Sequence, residues 1–115
     1  MMKAIVIKVN ENLSSTATAV EVDKTLETLQ MIVGGLIVEV YIDREHGNDG
    51  THMYVNEEGK FRGLPFNSQA TILARLNHGI PDWDVISGDV VILGDGGGGR
   101  EGDCPEWVYK KLGLS

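Results

Sequence analysis

Val22-Asp23-Lys24-Thr25-Leu26-Glu27-Thr28-Leu29-Gln30-Met31-Ile32-Val33-Gly34-Gly35-Leu36-Ile37-Val38-Glu39-Val40 carries a helix pattern straight into a strand pattern, and this junction decides the fold class. Leu26, Leu29, Gln30 and Val33 stand at i, i+3, i+4 and i+7, the spacing of one face of a helix about three turns long. Asp23 precedes it, with a carboxylate suited to the free N–H groups of a first turn. Gly34-Gly35 ends it, because glycine takes the left-handed C-cap conformation without strain. Leu36 to Ile42 is then β-branched and period-two around Glu39, which predicts a strand with one buried face.

Working toward the N-terminus, Lys3 to Val9 is an apolar strand pattern. Asn10 to Thr18 is rich in residues whose side chains compete with backbone ladders and reads as a loop, leaving Val20-Glu21-Val22 as a short strand. Toward the C-terminus, Asp43 to Gly50 is a polar loop. His52-Met53-Tyr54-Val55 and Lys60-Phe61-Arg62 flank Asn56-Glu57-Glu58-Gly59 in the pattern of a β-hairpin. Pro65 takes the chain out of the sheet, and Asn67 or Ser68 can cap a second helix carrying Ile72, Leu73 and Leu76, with Gly79 beyond its end. Ser87-Gly88-Asp89 turns into a last core strand ending at Leu93. Gly94 to Asp103 holds six glycines in ten residues and is expected to be a flexible segment. Pro105 opens a short terminal helix through Trp107, Val108, Lys111 and Leu112.

These elements predict α+β architecture in a single domain over residues 1–93: a mostly antiparallel sheet of about five strands with two helices on one face. A mobile glycine-rich segment (94–103) and a short C-terminal helix (104–115) follow. The chain has 115 residues, of which 42% are hydrophobic, enough to build a core without metal or disulfide. A lone Cys104 forms no internal disulfide, and no apolar run has the length to span a bilayer, so a reducing cytoplasmic setting with no membrane contact is expected. The net charge of −7, with the bases scattered, argues against direct nucleic-acid binding.

The tracts Val22–Val40 and Asn56–Asn67, and more weakly Asp84–Leu93, resemble a family of small uncharacterised proteins carried mainly by bacteriophages and mobile elements and classed as a domain of unknown function. The resemblance implies a phage-type accessory protein acting in a bacterial host cytoplasm. It supplies no catalytic residues.

The chemistry-bearing residues form no catalytic or metal motif in sequence. His46, His52 and His78 stand in a loop, a strand start and a helix end, without ligand spacing to one another or to Cys104, so no metal site and no cofactor is expected. Asp43-x-Glu45-x-Gly47 has the opening acids of a calcium loop but lacks its sixth-position glycine and its twelfth-position glutamate, where Tyr54 stands. Gly94 to Arg100 lacks the Gly-Lys-Ser/Thr ending of a phosphate loop, and no Gly-x-Ser-x-Gly occurs. Asp103 beside Cys104 disfavours a thiolate.

Two binding surfaces are therefore expected on a protein that is not an enzyme. Arg62 and Asn67 at the Gly63-Leu64-Pro65-Phe66-Asn67 corner, with Tyr54 or Trp83 as a stacking face, form the candidate site for a nucleotide or other small molecule. Asp43, Glu45, Asp49, Glu57 and Glu58 form an acidic surface for a host protein partner, in the leading expectation of a protein that binds and modulates a host protein, such as a defence enzyme. Exposed apolar residues near Trp107 would let the terminal helix dock on a second copy, so a homodimer is also expected.

Overall fold

In the computed structural model, which describes residues 1–114, the chain forms one α+β unit around an entirely antiparallel six-stranded sheet. The strands are β1 (Met2–Val9), β2 (Ser15–Val22), β3 (Ile37–Tyr41), β4 (His52–Asn56), β5 (Val90–Gly97) and β6 (Arg100–Gly102), and the helices are α1 (Leu26–Val33), α2 (Ser68–Leu76) and α3 (Glu106–Lys111). The spatial order is β2-β1-β5-β4-β3, with β6 paired to the outer end of β5. β3 and β2 are the two edges.

Both faces of the central strands are buried, which is why β1 and β5 are near-continuous apolar runs. Ile5 and Ile7 of β1 and Val90 and Ile92 of β5 face α2 and α3, meeting Ala70, Leu73, Ala74 and Val108. Their neighbours Met2, Ala4, Val91 and Leu93 face the other way and pack on Leu29 and Val33 of α1. The two predicted helices thus lie on opposite faces rather than together. One helix pattern cannot reveal this, because an apolar stripe says how much surface is buried and not which side of a sheet buries it.

α1 is capped by Thr25, whose Oγ1 accepts from Thr28 N–H at 3.2 Å, in place of the expected Asp23. Gly34 ends it as expected, with φ +80° and its N–H donating to Gln30 O at 2.8 Å. β2 begins at Ser15 rather than Val20, because residues 15–22 pair one for one with residues 2–9 after a tight turn at Asn10 to Ser14. The pattern of polar residues there marks a solvated edge strand, not a loop.

The expected hairpin at Asn56 to Gly59 does not form. β4 pairs instead with β3 and β5, and Glu57 to Leu64 folds into consecutive turns. Asn56 sets this up. Its Oδ1 accepts from Glu58 N–H at 2.9 Å and its carbonyl accepts from Gly59 N–H at 3.1 Å, a side-chain-directed turn that leaves Lys60 to Arg62 outside the sheet.

The largest departure concerns Gly94 to Asp103, which is a β5–β6 hairpin and not a flexible segment. Gly97, Gly98 and Gly99 turn the chain, all with positive φ. Gly96 and Gly102 lie so close to the opposite strand that a Cβ would sit 2.5 Å from Glu101 O in the first case and 2.6 Å from Gly96 N in the second. These glycines permit close backbone approach. The hairpin then returns Cys104 into the core, where its N–H donates to Lys3 O at 2.8 Å, and α3 packs against the domain through Val108.

Candidate functional site

Strand alternation builds a polar cluster at the end of the sheet that α1 leaves open. Tyr41 lies opposite His52 and Glu39 opposite Tyr54 in the β3–β4 ladder, while Asp95 lies opposite Glu101 in the β5–β6 hairpin. The side chains of Glu39, Tyr41, His52, Asp95, Arg100 and Glu101 line a small cleft of about 160 Å³.

His52 is the buried centre of the cluster. Its Nδ1 lies 2.7 Å from Gly50 O and its Nε2 lies 2.7 Å from Glu101 Oε2 and 3.7 Å from Glu39 Oε2. The contact to a carbonyl fixes the Nδ1–H tautomer, since a carbonyl can only accept. Gly50 is itself held: its N–H donates to Asp43 Oδ2 at 2.9 Å, its φ is +84°, and a Cβ there would lie 2.5 Å from the Asp95 side chain. Glycine is thus required at this position, both for φ and for space.

Tyr54 holds the carboxylates. Its hydroxyl lies 2.5 Å from Glu101 Oε1 and 3.3 Å from Glu39 Oε2, and its ring meets that of His52 edge to face with centroids 5.1 Å apart. Burial, then the bond to Glu101 and its charge, raise the Tyr54 phenol far above its ordinary range, so it serves as a neutral donor. The Tyr41 phenol is also raised, chiefly by the neighbouring Glu39 carboxylate. Glu39, His52 and Glu101 offer ligand atoms that all lie within 4.8 Å of one another. This arrangement can hold a cation.

Of the sequence-predicted ligand residues, only Tyr54 belongs to this cluster. Asn67 is fully buried: it caps α2 by accepting from Ala70 N–H at 3.2 Å and donates to Ile7 O and Gly88 O at 3.0 and 2.9 Å. It has no group left for a ligand. Arg62 reaches Gly34 O at 3.3 Å, and Trp83 stands 80% exposed. The expected Arg62–Asn67 pocket is not assembled, because the asparagine amide is consumed in joining α2 to the sheet.

The expected acidic surface divides in the same way. Asp43 is buried beneath Gly50, and Glu45 lies 2.7 Å from His78 Nε2. Asp49 accepts from the Thr51 N–H and hydroxyl and from Trp107 Nε1–H, the last at 3.0 Å. Burial alone would raise the Asp49 carboxyl, but the hydrogen bonds from Thr51 and Trp107 outweigh it and the net shift is downward. Trp107 also stacks on His46 with centroids 3.7 Å apart, so this loop serves to hold α3. Glu57 and Glu58 remain exposed. Cys104 is buried, and burial followed by the charges of Asp49 and Asp103 pushes its thiol up to about 12.

Glu57 lines a second cleft, on the face opposite the histidine cluster. It measures about 350 Å³ and runs beside edge strand β3, walled by Val38, Val40, Phe61, Ile80, Val85 and Ile86, with Lys60 paired to Asp84 at its rim.

The histidine–carboxylate cluster was missed because its members come from three strands. Glu39 left a trace, as the one charge in an otherwise apolar strand, but Glu101 lay in the tract read as flexible. Fold and sites define a small α+β domain with a helix layer on each side of an antiparallel sheet, a preformed imidazole–carboxylate cleft and an apolar groove at an open edge. The chain belongs to the family described as Domain of unknown function (DUF3846), whose model matches residues 2–113. No curated protein and no solved structure matches it.

Proposed function

We propose that this protein is a non-enzymatic accessory protein that binds an extended segment of another protein along the β3 edge. The observation that carries this reading is the juxtaposition of an unpaired strand edge with the 350 Å³ apolar groove. An edge strand presents N–H and C=O groups to any extended chain, and a groove beside it selects alternate side chains of that chain. β3 carries only Glu39 as a charged guard, while Val38 is 44% and Phe61 92% exposed at the groove. Apolar surface of this kind, concentrated beside a polar rim, is what a docking segment covers.

Glu57 gives the groove an acidic group, with Glu58 exposed next to it in the chain, and Lys60 is neutralised by Asp84. The favoured partner is an extended peptide with alternating apolar side chains and flanking Lys or Arg. The resemblance to proteins of phages and mobile elements supports a bacterial host protein, met in the host cytoplasm, as its source. Affinity capture from bacterial lysate with wild type and with Val38→Asp and Phe61→Asp tests this. Both substituted side chains are solvent-facing, so the fold is retained. A stoichiometric protein captured by wild type and lost by both variants is expected, and undiminished capture by the variants would overturn the reading.

A further inference from the structure

The geometry points to a divalent transition-metal site formed by His52 Nε2, Glu39 Oε2 and Glu101 Oε2, with zinc as the best-fitting ion. This site is on the face opposite the β3 groove, and its assignment does not rest on peptide binding.

The first support is hydrogen-bond bookkeeping. With Nδ1–H spent on Gly50 O, Nε2 is the ring atom left to ligate, and it faces Glu101 Oε2 at 2.7 Å. A second carboxylate oxygen, Glu39 Oε2, faces the same point at 3.7 Å.

The distances suit the ion. Zinc–nitrogen and zinc–oxygen bonds of roughly 2.0–2.1 Å in tetrahedral geometry place ligand atoms roughly 3.3 Å apart. The two separations from Nε2, 2.7 and 3.7 Å, bracket that value. One imidazole with two carboxylates is a donor set that zinc accepts, whereas the hard cations calcium and magnesium use oxygen ligands alone. Three protein ligands leave a fourth position toward the cleft, for water or an external ligand.

The surroundings are those of a supported metal site. Gly50 O orients the imidazole as a backbone carbonyl does for metal-bound histidines, and Asp43 fixes Gly50 in turn. Tyr54 takes the outer oxygen of Glu101 and so leaves the inner one for the ion. Two ligands sit on adjacent paired strands and the third on the glycine-locked hairpin, so little ordering is needed on binding.

Metal-free protein would be titrated with Zn²⁺ against a chromophoric chelator, and with Co²⁺ followed by its visible absorption. One equivalent is expected to bind, with a rise in thermal midpoint and the intense absorption of four-coordinate cobalt. Glu39→Gln and Glu101→Gln, which keep size and hydrogen bonding, should each weaken binding at least tenfold. Tyr54→Phe, a positioning change, should weaken it by about tenfold. His78→Ala removes a surface imidazole and should change nothing. Affinity unchanged in both glutamine variants, or lost in His78→Ala, would overturn the assignment, as would no uptake by folded wild type.

Discussion

Replacing Asn67 tests the claim that this residue joins α2 to the sheet and does not serve a ligand. Its side chain caps the helix through Ala70 N–H and donates two hydrogen bonds to Ile7 O and Gly88 O, all without solvent access. Loss of an N-cap costs about 1 kcal/mol. Loss of each amide donation costs about 1 kcal/mol or more, because a buried carbonyl is left short of a partner. Asn67→Ala should therefore destabilise the domain by about 3 kcal/mol, a large part of the roughly 5–15 kcal/mol of a typical domain. Asn67→Asp retains the cap acceptor but sets a carboxylate against two carbonyl oxygens, and should be less stable than Asn67→Ala at neutral pH. Urea unfolding measures this directly: with a slope of about 1.5 kcal/mol/M, Asn67→Ala should shift the midpoint down by about 2 M. A shift below about 0.5 M, or an aspartate variant more stable than the alanine variant, would refute the reasoning.

Gly96→Ala should cost about 1–3 kcal/mol of stability, since its Cβ would meet Glu101 O at 2.5 Å, and thermal unfolding will show it. A flexible segment would tolerate that change or gain slightly from it, so an unchanged midpoint would refute the ordered hairpin. The Asp49–Trp107 bond should fail only in acid. The folded-state value of Asp49 is depressed, so its contribution is fully present above the unfolded value of about 3.9 and is lost as pH falls through the lower folded value. In a Trp83→Phe, His46→Phe background, which keeps a ring stacked on the indole but removes the titrating imidazole, Trp107 emission should stay constant down to about pH 4 and change below it. A transition centred above about pH 5 would show that something other than Asp49 holds the indole.

Much of the fold was legible in local sequence because the relevant physics is local. The helix at Leu26 to Val33, the left-handed Gly34 and the cap at Asn67 each act within a few residues of themselves and hold in the structure, although only Leu29 and Val33 of the predicted face are buried and Leu26 is left exposed at the start of an eight-residue helix. The apolar runs in Lys3–Val9 and Val90–Leu93 likewise announced strands, and their burial on both faces is what the structure adds. Composition alone set the scale of the core and the acidic surface.

What the tertiary structure decided is partnership between distant segments. Pairing across the sheet turned a polar loop into β2, drew β4 away from its predicted hairpin and gave the glycine-rich tract a partner strand. Helix placement on opposite faces followed from which alternate residues of β1 and β5 each helix covers. The same holds for the sites. Glu39, His52 and Glu101 are 13 and 49 residues apart along the chain, and only the strand order β3-β4-β5 with its β6 hairpin brings their ligand atoms within 4.8 Å. A residue's chemistry is written in the sequence, but the neighbour that gives it a role is chosen by sheet register, because hydrogen bonds across a ladder act at a separation that local patterning does not encode.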